Sequence, residues 1–234
     1  MATTDPVALG ARHASPLRQV WIIAAKDLHS ELRTKEAWNA SIAFSVVILL
    51  LFAFAFDPSS EQIREFGSGL LWMTYAFAGA LVLNRSFARE LQNDCLDALI
   101  ASPVSSAALF VGKALANFTM LFAVELFSLP VFGLFYNTWP PRFAPLFLVM
   151  VLGTWALTII GTLFSALTVN LRLRELMLPT LVYPMMIPVL IAAMTMTTNV
   201  LAGNPLGFGM RFLVAFDIIF TLLAVVFVDT VLVG

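Results

Sequence analysis

The sequence predicts an all-α integral membrane protein with six transmembrane helices, because of its composition, its apolar runs and the placement of its basic residues. Of its 234 residues, 60% are hydrophobic and only 12% are charged, and the mean hydropathy is +0.92. A soluble chain is roughly half apolar and a quarter charged, so this chain has too few charges to cover a soluble surface. The formal net charge of −1 gives no reason to expect a nucleic-acid partner.

Six segments are apolar and long enough to cross a hydrocarbon layer of about 30 Å, which takes about 20 helical residues. They are continuous runs rather than alternating ones, so they predict helices and not the strands of a barrel. The predicted spans are residues 38–56, 66–83, 114–136, 143–169, 176–201 and 212–232. The chain is thereby divided into an arm, residues 1–37, and a six-helix membrane domain, residues 38–234.

The basic residues predict which way the chain crosses the membrane. Ten of the 13 Lys and Arg residues lie in the arm or in the segments after the second and fourth spans, and three lie in the opposite loops. The positive-inside rule therefore places the arm and both termini in the cytoplasm. The apolar run at residues 20–25 is shorter than a signal-peptide core of about 7 to 15 residues, so we expect the arm to be retained.

An amphipathic helix is predicted at residues 18–36, directly before the first span. Its apolar stripe consists of Trp21, Ala25, Leu28 and Leu32. Polar residues, among them Lys26, Asp27, Ser30 and Arg33, fall elsewhere on the helix. This pattern is typical of a helix that lies in the membrane interface, where it would form an elbow with the first span.

A second amphipathic segment, at about residues 85–102, follows the second span. Its apolar face consists of Phe87, Ala88, Leu91, Cys95, Ala98 and Leu99. The carboxylates of Glu90, Asp94 and Asp97 share a separate face. Such a helix suits the docking of a soluble partner, and it equally suits a position among the lipid headgroups with its acids in water. The periodicity leaves both interpretations open.

The residues needed for enzymatic chemistry are scarce. Both histidines, His13 and His29, lie in the arm, so no span offers an imidazole for acid–base work or haem ligation. The Gly112-Lys113 pair lacks the earlier glycine and the following Ser or Thr of a phosphate-binding loop. We therefore expect a chain that binds no ATP and is not an enzyme. Its single cysteine excludes an internal disulfide.

Three acidic residues fall inside predicted spans, where ionisable groups are costly and often functional. Glu125 lies near the middle of the third span, and its position favours a polar contact with another helix slightly over a substrate or proton site. Asp217 and Asp229 lie toward opposite ends of the sixth span. For these two, the sequence favours interfacial positions over a role in a pathway.

The fifth span carries Pro179, Pro184 and Pro188 within ten residues. Each proline removes a backbone donor and crowds the preceding turn, so a kinked or broken helix is predicted. Broken helices in transporters often border a pathway, which makes the prolines hinge or pathway candidates beside Glu125. Kinks that serve only packing are about equally common.

Several stretches together resemble a known family. They are residues 26–28 and 31–33 in the arm, 87–94 and 99–104 in the second amphipathic segment, 113–115 at the start of the third span, and 152–154, 166–169, 178–179 and 183–191 farther along. In order and character they are similar to the CcmB family, the membrane permease of the haem exporter in bacterial cytochrome c maturation. The resemblance spans nearly the whole chain.

The resemblance implies an ABC-2-type exporter permease in the bacterial inner membrane, present in two copies. Its coupling helix, with Arg89, Glu90, Asp94 and Asp97, would contact a separate ATP-binding protein. The family also implies association with a haem-handling membrane protein, a small membrane protein, and indirectly a periplasmic haem chaperone. ATP would act through the partner, and haem would be the transported or handled ligand. The tryptophan-rich haem motif of related pathway proteins is missing here, which argues against direct haem ligation.

Two other functions stay open on the sequence. The chain would also suit an ABC-2 permease that exports a lipid, glycan or drug, or a membrane assembly scaffold that transports nothing. Within the haem pathway, either haem crosses through this chain or ATP only drives release of the loaded chaperone.

Overall fold

The computed structural model describes residues 15–56, 61–84, 86, 104–168 and 174–233. Within those ranges the chain forms seven α-helices and no strand. They are α1 (Pro16–Thr34), α2 (Glu36–Ala55), α3 (Glu61–Leu83), α4 (Ser106–Phe135), α5 (Phe143–Thr168), α6 (Arg174–Leu201) and α7 (Gly207–Val233).

Helices α2 to α7 are the six expected spans. Each contains a stretch of at least 18 residues that is long and apolar enough to cross a membrane. This confirms the all-α class and the number of spans. Helix α1 lies before the first span, where the sequence predicts the elbow helix.

Three helices begin at least five residues before the predicted spans. Helix α4 begins at Ser106 rather than near residue 114, α3 begins at Glu61 rather than at 66, and α7 begins at Gly207 rather than at 212. At α4, the Ser105 hydroxyl accepts a hydrogen bond from the Ala108 backbone N–H at 3.2 Å and caps the helix. Hydropathy marks only the apolar part of a helix, whereas the backbone hydrogen bonds extend past it.

The elbow between α1 and α2 is formed by one residue and one carboxylate. Lys35 adopts a left-handed conformation, φ 56°, which ends α1 and turns the chain directly into α2. The Glu31 carboxylate accepts hydrogen bonds from the backbone N–H groups of Ala37 at 2.8 Å and Trp38 at 3.3 Å. A carboxylate from one helix thus caps the free amides that open the next.

Helix α1 packs on the bundle through a side that differs from its predicted apolar stripe. Ile23, Ala24 and Glu31 are buried, whereas Trp21 is 68% exposed and Leu32 is 50% exposed. The exposed residues of the stripe are the part that an interfacial helix presents to lipid. The structure therefore separates a protein-facing side of α1 from a lipid-suited side.

The core of the bundle surrounds α3, whose span is the most buried of the six. Leu71, Trp72 and Tyr75 of α3 are almost wholly enclosed and contact neighbouring spans. At Gly153 of α5, an added Cβ would overlap the Trp72 ring. Small residues of this kind let membrane helices approach closely.

Helix α6 is continuous through all three predicted hinge prolines. The predicted break is therefore not found. Of the two predicted alternatives, a kinked or a broken helix, only the kinked helix remains. Val182, Met186 and Val189 face the core, whereas Pro184 and Pro188 are exposed. These two prolines lie on the outer side of the helix.

Candidate functional site: buried polar clusters of the membrane bundle

Glu125 lies deep within the membrane bundle. It is fully buried ten residues before the end of α4, which is about 15 Å at 1.5 Å per residue. Its Oε2 accepts a hydrogen bond from the Thr154 hydroxyl of α5 at 2.6 Å, and its Oε1 has no hydrogen-bond partner among the described residues. The contact with another helix is the one that the sequence favours for Glu125.

The surroundings of Glu125 add further hydroxyl groups. The Tyr75 hydroxyl of α3 donates to the Glu125 backbone carbonyl at 3.4 Å. The Ser128 hydroxyl donates to the Val124 carbonyl at 2.5 Å, one turn back along α4. The cluster therefore offers hydroxyl donors to this stretch of α4.

Asp217 lies near the middle of its span, so the interfacial position that the sequence favours for it is wrong. Helix α7 begins ten residues earlier, at Gly207, and the apolar stretch continues to Val228. The side chain is buried, and neither carboxylate oxygen has a hydrogen-bond partner within the described residues. The error arises because the predicted span starts at residue 212, too near to Asp217. Asp229 belongs to α7 near its end, and its side chain lies outside the described residues.

A small cavity lies between α3, α4, α5 and α6. Trp139 and Thr197 are among its lining residues, and its open volume is about 10 Å³, which is room for about one water molecule. The Trp72 indole N–H donates to the Thr197 hydroxyl at 2.8 Å beside it. The cavity is far smaller than the roughly 300 Å³ or more that a drug-sized ligand needs.

A third polar cluster, which we call the anchor cluster, joins α1, α4, α5 and Ser86, which lies just after α3, at one end of the bundle. Its members are Asp27, Ser86, Lys113, Asn117 and Thr162. The Lys113 ammonium is fully buried; it donates to the Asp27 carboxylate at 3.0 Å and to the Ser86 carbonyl at 2.8 Å. The Asn117 amide donates to the hydroxyls of Ser86 and Thr162, each at 2.9 Å. Two side chains of α4, those of Lys113 and Asn117, thus contact α1, α5 and the residue just after α3.

Lys113, at the centre of this cluster, has a different place in the sequence-based prediction. There Lys113 belongs to the cytoplasmic segment, and the Gly112-Lys113 pair serves only to reject a phosphate loop. In the structure the pair lies inside α4 and is packed against α1. The available signal was a basic and an amide residue four apart, Lys113 and Asn117, in an otherwise apolar helical run.

Comparison with known proteins decides the family. The family described as CcmB protein matches residues 18–232. The chain belongs to the CcmB family. It is 31% identical to heme exporter protein B of Rhodobacter capsulatus over 169 residues, which cover 72% of this chain and 78% of that relative. The protein of the same description from Bradyrhizobium diazoefficiens is 29% identical over 187 residues, or 80% and 84% of the two chains.

The CcmB match includes residues 87–103, between Ser86 and the start of α4. We call them the acidic segment; they form most of the second amphipathic segment that the sequence predicts. The predicted coupling residues, Arg89, Glu90, Asp94 and Asp97, lie outside the described residues. The same holds for the side chain of Pro179. What the structure describes are the two flanks of this CcmB segment, at Ser86 and Ser105, and both flanks contact other elements.

Proposed function

We propose that this chain is the membrane permease of an ATP-driven haem exporter that serves cytochrome c maturation. The observation that carries the proposal is the CcmB match over residues 18–232. Relatives described as heme exporter protein B cover most of the chain and support haem as the handled substrate. Six spans suit a protein that works within the membrane.

ATP hydrolysis is assigned to a separate partner, the ATPase of the exporter. Gly112-Lys113 lies in a helix interior packed against α1, so it offers no loop whose amides would cradle phosphate. The ATPase would dock on the acidic segment between α3 and α4, where Arg89, Glu90, Asp94 and Asp97 are the coupling residues. Force applied to that segment would reach two spans at once because it connects them.

If ATP drives movement of haem, we expect haem to travel along a surface that this chain shares with another membrane protein. The cavity of about 10 Å³ near Trp139 and Thr197 is too small for a porphyrin. The shared surface would be formed with the haem-handling membrane protein of the exporter or with a second copy of this chain.

The remaining partners follow from the same family. We assign the small membrane protein of the pathway to the complex, with two copies of the present chain, in the bacterial inner membrane. The periplasmic haem chaperone would receive the haem indirectly. ATP binding would then drive either movement of haem or release of the loaded chaperone.

The decisive experiment is deletion of the gene, followed by a covalent-haem stain of membrane proteins. We expect stained c-type cytochromes to disappear and to return when the gene is supplied from a plasmid. Normal staining in the deletion strain would contradict the haem proposal and favour an exporter of a lipid, glycan or drug. A scaffold function predicts, in addition, that the reconstituted chain fails to stimulate hydrolysis by the ATPase.

A further inference from the structure

The buried lysine of α4 contacts elements that are distant in sequence. Lys113 donates to Asp27 of α1 and to the Ser86 carbonyl just after α3. Its side chain is fully buried, whereas that of Asp27 is 20% exposed. A buried ammonium is stable only when it is paired and hydrogen-bonded, so α4 keeps this arrangement only while α1 and Ser86 stay in place.

A second layer of hydrogen bonds fixes the same region one turn farther along α4. Asn117 joins Ser86 to Thr162 of α5. The Ser165 hydroxyl of α5 donates to the carbonyl of Leu83, the last residue of α3, at 3.0 Å. The end of α3 and the residue that precedes the acidic segment are therefore held by α4 and α5 together.

Helix α1 also approaches the start of α4 very closely. A Cβ added at Gly112 would lie 2.8 Å from the Ile23 Cβ and 3.0 Å from the Val20 carbonyl oxygen, so any side chain there would push α1 away. The Ser105 backbone N–H, just before α4, donates to the Gln19 side chain of α1 at 3.4 Å. Helix α1 thus contacts the far flank of the acidic segment directly and the near flank through Lys113.

We infer that Lys113 is a positioning residue that ties α4 and the near flank of the acidic segment to the elbow helix. Together with the direct contact of Gln19 with the far flank at Ser105, it makes α1, α3 and the start of α4 move as one body when the ATPase acts. This inference rests on the proposed function, because it assumes that a partner pushes on residues 87–103. It adds to the proposed function a path by which force from the ATPase reaches the membrane helices. The elbow helix, with its lipid-suited stripe, would shift with the two spans rather than act as a passive support.

The first test replaces Lys113→Met in the assembled complex. We expect the ATPase to remain bound, while stimulated ATP hydrolysis and covalent haem on cytochrome c fall about tenfold or more, because methionine cannot donate to Asp27 or to the Ser86 carbonyl and α4 loses both contacts. Lys26→Met is the matched control, because Lys26 lies 3.1 Å from the same Asp27 carboxylate but is 52% exposed. The control should behave as wild type, and Lys113→Arg should restore part of the activity.

Two results of this test bear directly on the inference. Normal coupling and normal cytochromes in Lys113→Met would overturn it while leaving the haem function intact, since the wild-type complex would still mature cytochromes. Failure of the wild-type complex itself to stimulate hydrolysis would instead contradict the proposed function.

The second test does not depend on how Lys113→Met folds. Gln19→Cys and Ser105→Cys are introduced together into a Cys95→Ser chain, since Cys95 is the only native cysteine, and are joined by a short thiol crosslinker. If α1 and α4 move as one body, the crosslinked complex keeps its ATPase stimulation and cytochrome maturation. Loss of both on crosslinking, with each single-cysteine variant unaffected by the reagent, would show that the two helices separate and would overturn the inference.

Discussion

A buried lysine and a buried glutamate occupy different depths of the same helix. Lys113 and Glu125 are 12 residues apart on α4, or about 18 Å. Lys113 has a carboxylate and a carbonyl as partners, whereas Glu125 has one hydroxyl and, among the described residues, no basic partner. The partners of Lys113 can stabilise a buried charge. The single hydroxyl partner of Glu125 suits a neutral polar group better than a charged one.

This difference predicts how Glu125 responds to substitution. Glu125→Gln should insert normally and keep cytochrome maturation, because an amide can hydrogen-bond to the Thr154 hydroxyl in nearly the same volume. Glu125→Ala should lower stability, since hydrogen bonds between membrane helices contribute about 0.6 to 1.7 kcal/mol. Denaturant titration of the purified chain in detergent, together with haem staining, measures both effects.

Thr154→Val is the control for Glu125, because it removes the hydroxyl and leaves the carboxyl in place. It should destabilise the chain by a similar amount. If Glu125→Gln inserts and folds normally but stops haem delivery, then the carboxyl carries a proton or contacts the cargo, and its role is more than packing.

At the scale of elements, α6 combines a continuous helix with prolines on its outer side. Pro184 and Pro188 are exposed, while Val182, Met186 and Val189, which alternate with them in sequence, are buried. Proline removes an intrahelical hydrogen bond wherever it stands inside a helix. The weakened turns therefore face outward, where α6 can bend without disturbing the packed side.

Replacing Pro184 and Pro188 together with Ala should restore two backbone hydrogen bonds and stiffen α6. We expect normal insertion and reduced cytochrome maturation, measured by haem staining against the amount of chain in the membrane. Pro205→Ala, in the loop before α7, is the control and should have no effect. Unimpaired maturation in the double variant would reduce the two prolines to packing residues.

The acidic segment should tolerate one neutral substitution but not a reversal of its charge. Exposed ion pairs contribute only about 0 to 1 kcal/mol each, so Asp97→Asn alone should be tolerated. Reversing Glu90, Asp94 and Asp97 to Lys should release the ATPase, because like charges would then oppose the docking surface. Co-purification of the ATPase at moderate salt and haem staining are the measurements. If the triple variant keeps its partner and matures cytochromes, the segment is a solvated surface helix.

At the scale of the whole molecule, the even number of spans places the two ends of the membrane domain on the same side of the membrane. The six spans α2 to α7 return the chain to the side from which it started. Helix α1 and the anchor cluster lie at the end of the bundle where α2 begins and α3 ends. The positive-inside count predicts that this end is cytoplasmic.

Reporter fusions test that orientation. A periplasmic phosphatase should be inactive when fused at Gly234 or near Asp94, and active when inserted at Gly203 in the loop between α6 and α7. A cytoplasmic reporter should show the opposite pattern. Phosphatase activity at Gly234 would reverse the predicted topology and remove the acidic segment from the reach of a cytoplasmic ATPase.

The class of protein, the number of spans and the elbow helix can all be predicted from the amino-acid sequence alone. These depend on run length and on periodicity along one helix, which are local properties of the chain. The family resemblance was likewise readable, because its stretches keep their order along the chain, and the match over residues 18–232 confirmed it.

The contacts of the polar residues, in contrast, are found only in the folded chain. The partners of Lys113, the burial of Asp217, the outward side of the α6 prolines and the packed side of α1 all depend on which helix faces which. Hydropathy records how apolar a segment is and not its neighbours, so a lysine that a distant aspartate neutralises looks the same as one in water. For that reason the sequence placed Lys113 in the cytoplasmic flank of the third span, whereas the folded chain buries that lysine inside α4.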